Sequence, residues 1–280
     1  MDRVAGLAKS LSTSEEELLR ASIVLQNSME GACTTFAVNS RATVDGKIYS
    51  GWNLDLYPWL GPILSHPWLF VIKIPGRYTY VGYGVPILLN IGLLNEKGLT
   101  SVTTAIPHIQ DTGFPGLPYN IINNIVMERC ANVREAGEMV DSLPRLVIDV
   151  PYARLQNANL LFADTAGTIA LVESSYHYCK CSYSTNGSQA STNHHVYLKS
   201  SGSTGSPSSH ERLNKIWELL NQNRGKINLE VIKDMMRTEP VCNDDTLCAF
   251  IILPEEKIIY FCKGNPFVGT FEPHHFSRYL

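Results

Sequence analysis

"MEGACTTFAV", residues 29–38, sets a cysteine and two threonines behind a pair of small residues and ahead of an apolar run. Thr, Phe and Val favour extended chain, so the stretch predicts a β-strand with Cys33 near its start. A buried structural thiol is one reading, since cysteine is among the most buried residue types. The other reading starts from the backbone. A cut between Ala32 and Cys33 would give the cysteine an α-amine with a pKa of roughly 7.7–8.0. Such an amine can serve as general base to its own side chain.

Working outward, "CTTFAV" (33–38), "KIYSGWNL" (47–54), "LFVIKI" (69–74), "YTYVGYG" (78–84) and "LTSVTTAI" (99–106) form a long β block. They are rich in β-branched and aromatic residues and are separated by Gly or Pro. Upstream, Ser14 and Glu17 stand at capping-box spacing and predict a helix over 15–28. Downstream, "PYNIINNIVMERC" (118–130) and "NVREAGEMVDSL" (132–143) predict two helices. A second β block follows, with a hairpin at "DTAG" (164–167), then "YHYCKCSYS" (176–184) and "QASTNHHVYL" (189–198).

The stretch 200–209, "SSGSTGSPSS", reads as a flexible loop. Two more helices are predicted, over 208–222 with Ser208 and Glu211 as a capping pair, and over 228–237. The chain returns to β at 245–264, turning at "PEEK". Hairpin blocks separated by helix pairs suggest an α+β fold, with two antiparallel sheets face to face under outer helices. That is a four-layer αββα sandwich.

Composition narrows the function classes. In 280 residues, 44% are hydrophobic and 18% charged, with a net charge of −3, as in an ordinary globular chain. Lys and Arg are scattered, which argues against nucleic acid as a partner. No run of 18 apolar residues offers a membrane span. Seven irregularly spaced cysteines suggest free thiols in a reducing cytoplasm rather than a disulfide framework. Residue types leave open whether copies associate into a homo-oligomer.

Several pieces, taken in order, resemble one family. They are "CTTFAV"; Gly51, Asn53 and Asp55 in "SGWNLD"; "LLNEKGLT" (93–100); the 157–175 hairpin; "STNHHVYL" (191–198); and "SSHERLNKI" (208–216). The family is the linear-amide N-terminal-nucleophile hydrolases, which include the acyl-coenzyme A:6-aminopenicillanate acyltransferases, the choloylglycine hydrolases and, more remotely, acid ceramidase. The likeness is greatest to the acyltransferase branch, and it runs from about residue 31 to 270.

That resemblance implies a propeptide with one helix over 1–32, a single catalytic domain over 33–280, and self-cleavage between Ala32 and Cys33. It also implies that Cys33 is the nucleophile and its α-amine the base, with Asp55 holding that amine. Asn193 would point its NH2 at the developing oxyanion, and Arg212 would support the thiolate. The reaction implied is attack on a linear amide or acyl thioester of a small molecule, through a thioester on Cys33 and with no cofactor or metal.

The chain also departs from the pattern. Ala32 replaces the usual Gly. Trp52 stands where bile-salt hydrolases carry Arg and penicillin acyltransferases carry Gln, and Thr104 or Ala105 stands where Asn is expected. Trp52, Tyr83 and Thr104 become candidate substrate contacts, although the aromatics of the first β block could equally be core. The alternative function is a catalytically idle αββα relative acting as a binding protein.

Other motifs carry less. Cys179-x-Cys181 with His194-His195 matches no common zinc arrangement, and core or surface thiols fit better. A papain-type Cys–His site would put its cysteine at a helix start, whereas Cys33 leads into a strand. His274-His275 reads as a solvated tail, and the terminal "RYL" is not the S-K-L address.

Overall fold

The computed structural model describes residues 5–6, 8–9, 12–17, 32–56, 68–85, 89–150, 153–155 and 157–280. Most of the helix expected over 15–28 lies outside the described residues. At 15–17 the chain is helical, and the Ser14–Glu17 capping box is formed in both directions at 3.1 and 3.0 Å.

Along β1 (Ala32–Val38), side chains alternate between two buried faces. Cys33 and Ala37 enter one apolar cluster, while Phe36 and Val38 enter another. β2 (Tyr49–Asp55) pairs antiparallel with β1 and splits the same way, Trp52 and Leu54 to the first cluster and Tyr49 to the second. A strand covered on both sides has no polar face, which is why "CTTFAV" lacks a polar–apolar alternation.

These two strands lie inside a six-stranded antiparallel sheet. Its order is β12 (Ser188–Ser191), β1, β2, β13 (Thr246–Leu253), β14 (Ile258–Lys263) and β15 (Phe271–His275). A seven-stranded antiparallel sheet faces it, ordered β11 (Cys179–Tyr183), β10 (Ile169–Ser174), β9 (Asn157–Ala163), β6 (Thr100–Ile106), β5 (Leu89–Asn95), β4 (Tyr80–Val85) and β3 (Trp68–Ile72). A small hairpin, β7 (Ile148–Val150) with β8 (Ala153–Leu155), stands apart.

The first cluster fills the space between the sheets, where Cys33, Trp52, Phe250 and Ile252 meet Tyr83, Leu94, Val102 and Leu161. Helices α1 (Tyr119–Arg129) and α2 (Val133–Ser142) cover the outer face of the seven-stranded sheet through Ile122, Val126, Ala136 and Val140. Helices α3 (Pro207–Gln222) and α4 (Leu229–Met236) cover the six-stranded one through Ile216, Leu220, Ile232 and Met236. The expected four-layer αββα sandwich is the fold observed.

Both outer layers are latched by an asparagine on a strand. Asn53 donates its side-chain NH2 to the carbonyls of Met236, the last residue of α4, and of Val241 in the segment beyond it. Asn95 does the same to Met127 and Cys130 at the end of α1. Each closes off at least one carbonyl that a helix C-terminus leaves without an intrahelical partner, Met236 in one case and Met127 in the other.

Two expectations need correction. Helix α3 starts at Pro207 with Ser206 as its N-cap, so Ser208 lies inside the helix and accepts a bond from Arg212 Nε instead of capping. Asx and Ser caps compete over a few residues, and Pro207 at the first helical position favours the earlier one. His274 and His275 sit on edge strand β15, which pairs with β14, rather than on a solvated tail.

Candidate functional site

Alternation along β1 sends the Cys33 side chain between the sheets and its neighbour Thr34 toward the helical side, where Arg212 waits. The Cys33 backbone N–H donates to Asn193 Oδ1 at 2.7 Å. The same oxygen accepts from an Arg212 guanidinium nitrogen at 2.9 Å. The other terminal nitrogen of Arg212 donates to the Cys33 carbonyl and, at 3.1 Å, to Thr34 Oγ1. Arg212 is 1% exposed, so this is a buried cation anchored by neutral acceptors.

Asn193 follows β12, and two carboxylate- and amide-based ties fix its loop. Buried Glu173 accepts from the N–H groups of Val196, Tyr197 and Leu198. Asn159 donates to the carbonyls of Thr192 and His194, both at 2.9 Å. One N–H of Asn193 itself donates to the Ala105 carbonyl at 2.8 Å. Among the described residues the second N–H of that amide has no assigned bond, so only one donor remains for an oxyanion.

Asp55 faces Ala32 across the β1–β2 pair. Its carboxylate accepts from Thr246 Oγ1 at 2.7 Å and Asn243 Nδ2 at 3.3 Å. Burial pushes its pKa up to about 6, against the pull of Arg212 and those two donors. A cleft of about 390 Å³ opens here, lined by Ala32, Asp55, Ser208, Asn243, Asp244 and Asp245.

The Cys33 thiol is pushed up to about 11, first by burial and then by the nearby Asp55 charge. Trp52, Arg212 and the Ala105 backbone pull the other way without winning. Arg212 therefore helps the thiolate only across the strand. It grips the carbonyl, not the sulfur. Tyr119, at the start of α1, is close enough that charge on Cys33 adds to the burial that raises its phenol to about 12.

Cys33, Asp55, Asn193, Arg212 and Ala32 thus converge on one end of β1. Of the candidate substrate contacts, Trp52 and Tyr83 are buried between the sheets. Thr104 is fully buried, and its hydroxyl donates to the Thr192 carbonyl at 2.8 Å. It ties β6 to the Asn193 segment and does not line the cleft. The residues missed in the sequence are Thr246 and Asn243, which sit in "CNDDT" and look like turn formers, and Ala105, which contributes only backbone.

A family model described as acyl-coenzyme A:6-aminopenicillanic acid acyl-transferase matches residues 43–267. The chain belongs to this acyltransferase family. Solved structures share the fold. A variant of conjugated bile acid hydrolase from Clostridium perfringens is 14% identical, with 88% of this chain and 93% of that one covered, at a TM-score of 0.64. Penicillin V acylase from Agrobacterium tumefaciens is 15% identical over 82% and 83%, at 0.60. A Caenorhabditis elegans N-acylethanolamine-hydrolyzing acid amidase ortholog is 14% identical over 79% and 93%, at 0.55. No curated protein matches.

The αββα sandwich of this acyltransferase-family chain is therefore the N-terminal-nucleophile hydrolase fold. Among the described residues, no helix is long and apolar enough to cross a membrane, and no group of three His, Cys, Asp or Glu side chains could hold a metal.

Proposed function

We propose that the chain is a self-processing cysteine amidase or acyltransferase that handles an acyl group through a Cys33 thioester. The family match begins after Cys33, so the role of that residue rests on geometry. The observation that carries it is the grip on the Cys33 backbone nitrogen by Asn193 Oδ1 at 2.7 Å. The atom that would become the catalytic amine is already positioned, with Asp55 across the strand pair and a cleft at its door.

Processing begins with attack of the Cys33 sulfur on the Ala32 carbonyl. The C–N bond breaks, the nitrogen takes the thiol proton, and the acyl group moves to sulfur. Water then hydrolyses this thioester, leaving an Ala32 carboxylate, a free thiol and an α-amine. In turnover that amine takes the thiol proton as sulfur attacks a substrate carbonyl, and passes it to the leaving amine. Asp55 orients the amine, and the remaining Asn193 N–H donates to the oxyanion, a contribution of roughly 3–4 kcal/mol in comparable sites. Water releases the acyl group in a hydrolase, and an acceptor amine in a transferase. The names of the relatives, an acyltransferase, a hydrolase, an acylase and an amidase, support a small-molecule amide or acyl thioester as substrate. All seven cysteines are free, which supports a reducing cytoplasm.

Intact mass spectrometry tests this. The expected result is loss of the 31.1 kDa species in favour of a fragment beginning at Cys33, with Cys33→Ala remaining uncut and inactive. A persistent full-length chain whose Cys33 resists electrophiles would establish the second reading, an idle family member that binds ligands. The buried, high-pKa thiol is the observation that favours it.

A further inference from the structure

The Trp52 indole N–H is buried and has no hydrogen-bond partner among the described residues. An orphaned buried donor is costly and calls for a reason. Its place on the sheet supplies one. Cys33 opposes Leu54 and Thr35 opposes Trp52, so Trp52 is the diagonal neighbour of Cys33 on the same inter-sheet face. The ring is held there by Phe250, with centroids 6.3 Å apart.

A second donor converges from the other sheet. β6 pairs with β9 along its whole length but with β5 only at Thr100 and Ser101. Beyond that its other edge is open, and there the Ala105 carbonyl meets Asn193. In an antiparallel ladder the N–H and C=O of one residue point to the same side. The Ala105 N–H therefore also faces the site, where it and the indole both favour the ionised sulfur.

We propose that Trp52 is a catalytic residue whose indole N–H, with the Ala105 amide, forms a cradle for the Cys33 thiolate. A thiol is a weak acceptor and leaves the indole unsatisfied, whereas a thiolate accepts a full charge-assisted bond. In the resting state the donor meets only this weak acceptor, and the bond strengthens as the sulfur ionises. No proton or bond is transferred to Trp52. The proposal rests on Cys33 being the nucleophile.

The test is the pH dependence of Cys33 alkylation by iodoacetamide, read on the Cys33 peptide of the full chain. In Trp52→Phe, which keeps the ring and loses the donor, the apparent thiol pKa should rise by about one unit. Identical profiles for wild type and Trp52→Phe overturn the proposal.

Should Trp52→Phe not fold, wild-type protein labelled with 15N-indole tryptophan answers instead. One of its four indole resonances should titrate with the alkylation pKa and stay still in Cys33→Ser. If none moves, the cradle is refuted. A chain that is never cut yet shows the Trp52 effect sinks the enzyme reading alone. An active enzyme without the effect sinks the cradle alone.

Discussion

Asp55 is the residue where function and stability pull apart. Its pKa is about 6 in the fold against the 3.8 of a free aspartate. A carboxyl raised on folding stabilises the native state only while protonated. That contribution is complete below about 3.8 and is lost as pH rises through about 6. The shift amounts to about 3 kcal/mol. Asp55→Asn mimics the protonated form, so in the uncut Cys33→Ala background it should melt higher than its Asp55 counterpart at pH 7.5, with the gap closing toward pH 4, while in the native chain it abolishes processing and turnover. A gap that does not change with pH would show that Asp55 does not ionise in the fold as described. Cys33 shows the same opposition. A thiol near 11 leaves roughly one thiolate in ten thousand at pH 7, so the uncut chain holds a muted nucleophile.

At the scale of elements, the β1–β2 pair explains why "SGWNLD" is spelled as it is. A Cβ at Gly51 would come within 2.4 Å of the Phe36 ring, which fills that space on the helical side. Gly51→Ala should cost about 1–3 kcal/mol in denaturant unfolding, and Phe36→Leu in the same chain should recover part of it. No recovery would mean that the glycine serves the backbone and not the ring. This pair was legible in the sequence because its residue types, its turn and its motif agree. β5 was legible only as part of the long β block over 33–104, since its apolar run "LNIGLLN" carries no strand-specific period. β15 was hidden by "FEPHH", whose polar side chains and Pro273 suit only an edge strand. In the site, the convergence of Asp55, Asn193 and Arg212 was reachable only by resemblance. No spacing brings together residues from β2, the loop after β12 and α3, and an amide from Ala105 leaves no trace in residue types at all.

Across the whole molecule, Asn53 and Asn95 latch opposite outer layers by the same device. Each replaced by Ala should cost about 1–3 kcal/mol, because buried carbonyls lose their donor. The double variant should show the sum to within about 0.5 kcal/mol, since the two sites share no partner. A larger discrepancy would mean that the helix layers communicate through the sheets. The choice of amides has a wider effect. They carry no charge and exchange no proton at ordinary pH, so acid that silences the nucleophile leaves these two latches fastened. The two latches are deaf to the very variable that the site listens to, so the seam between the sheets can be tuned without unfastening the helices outside them.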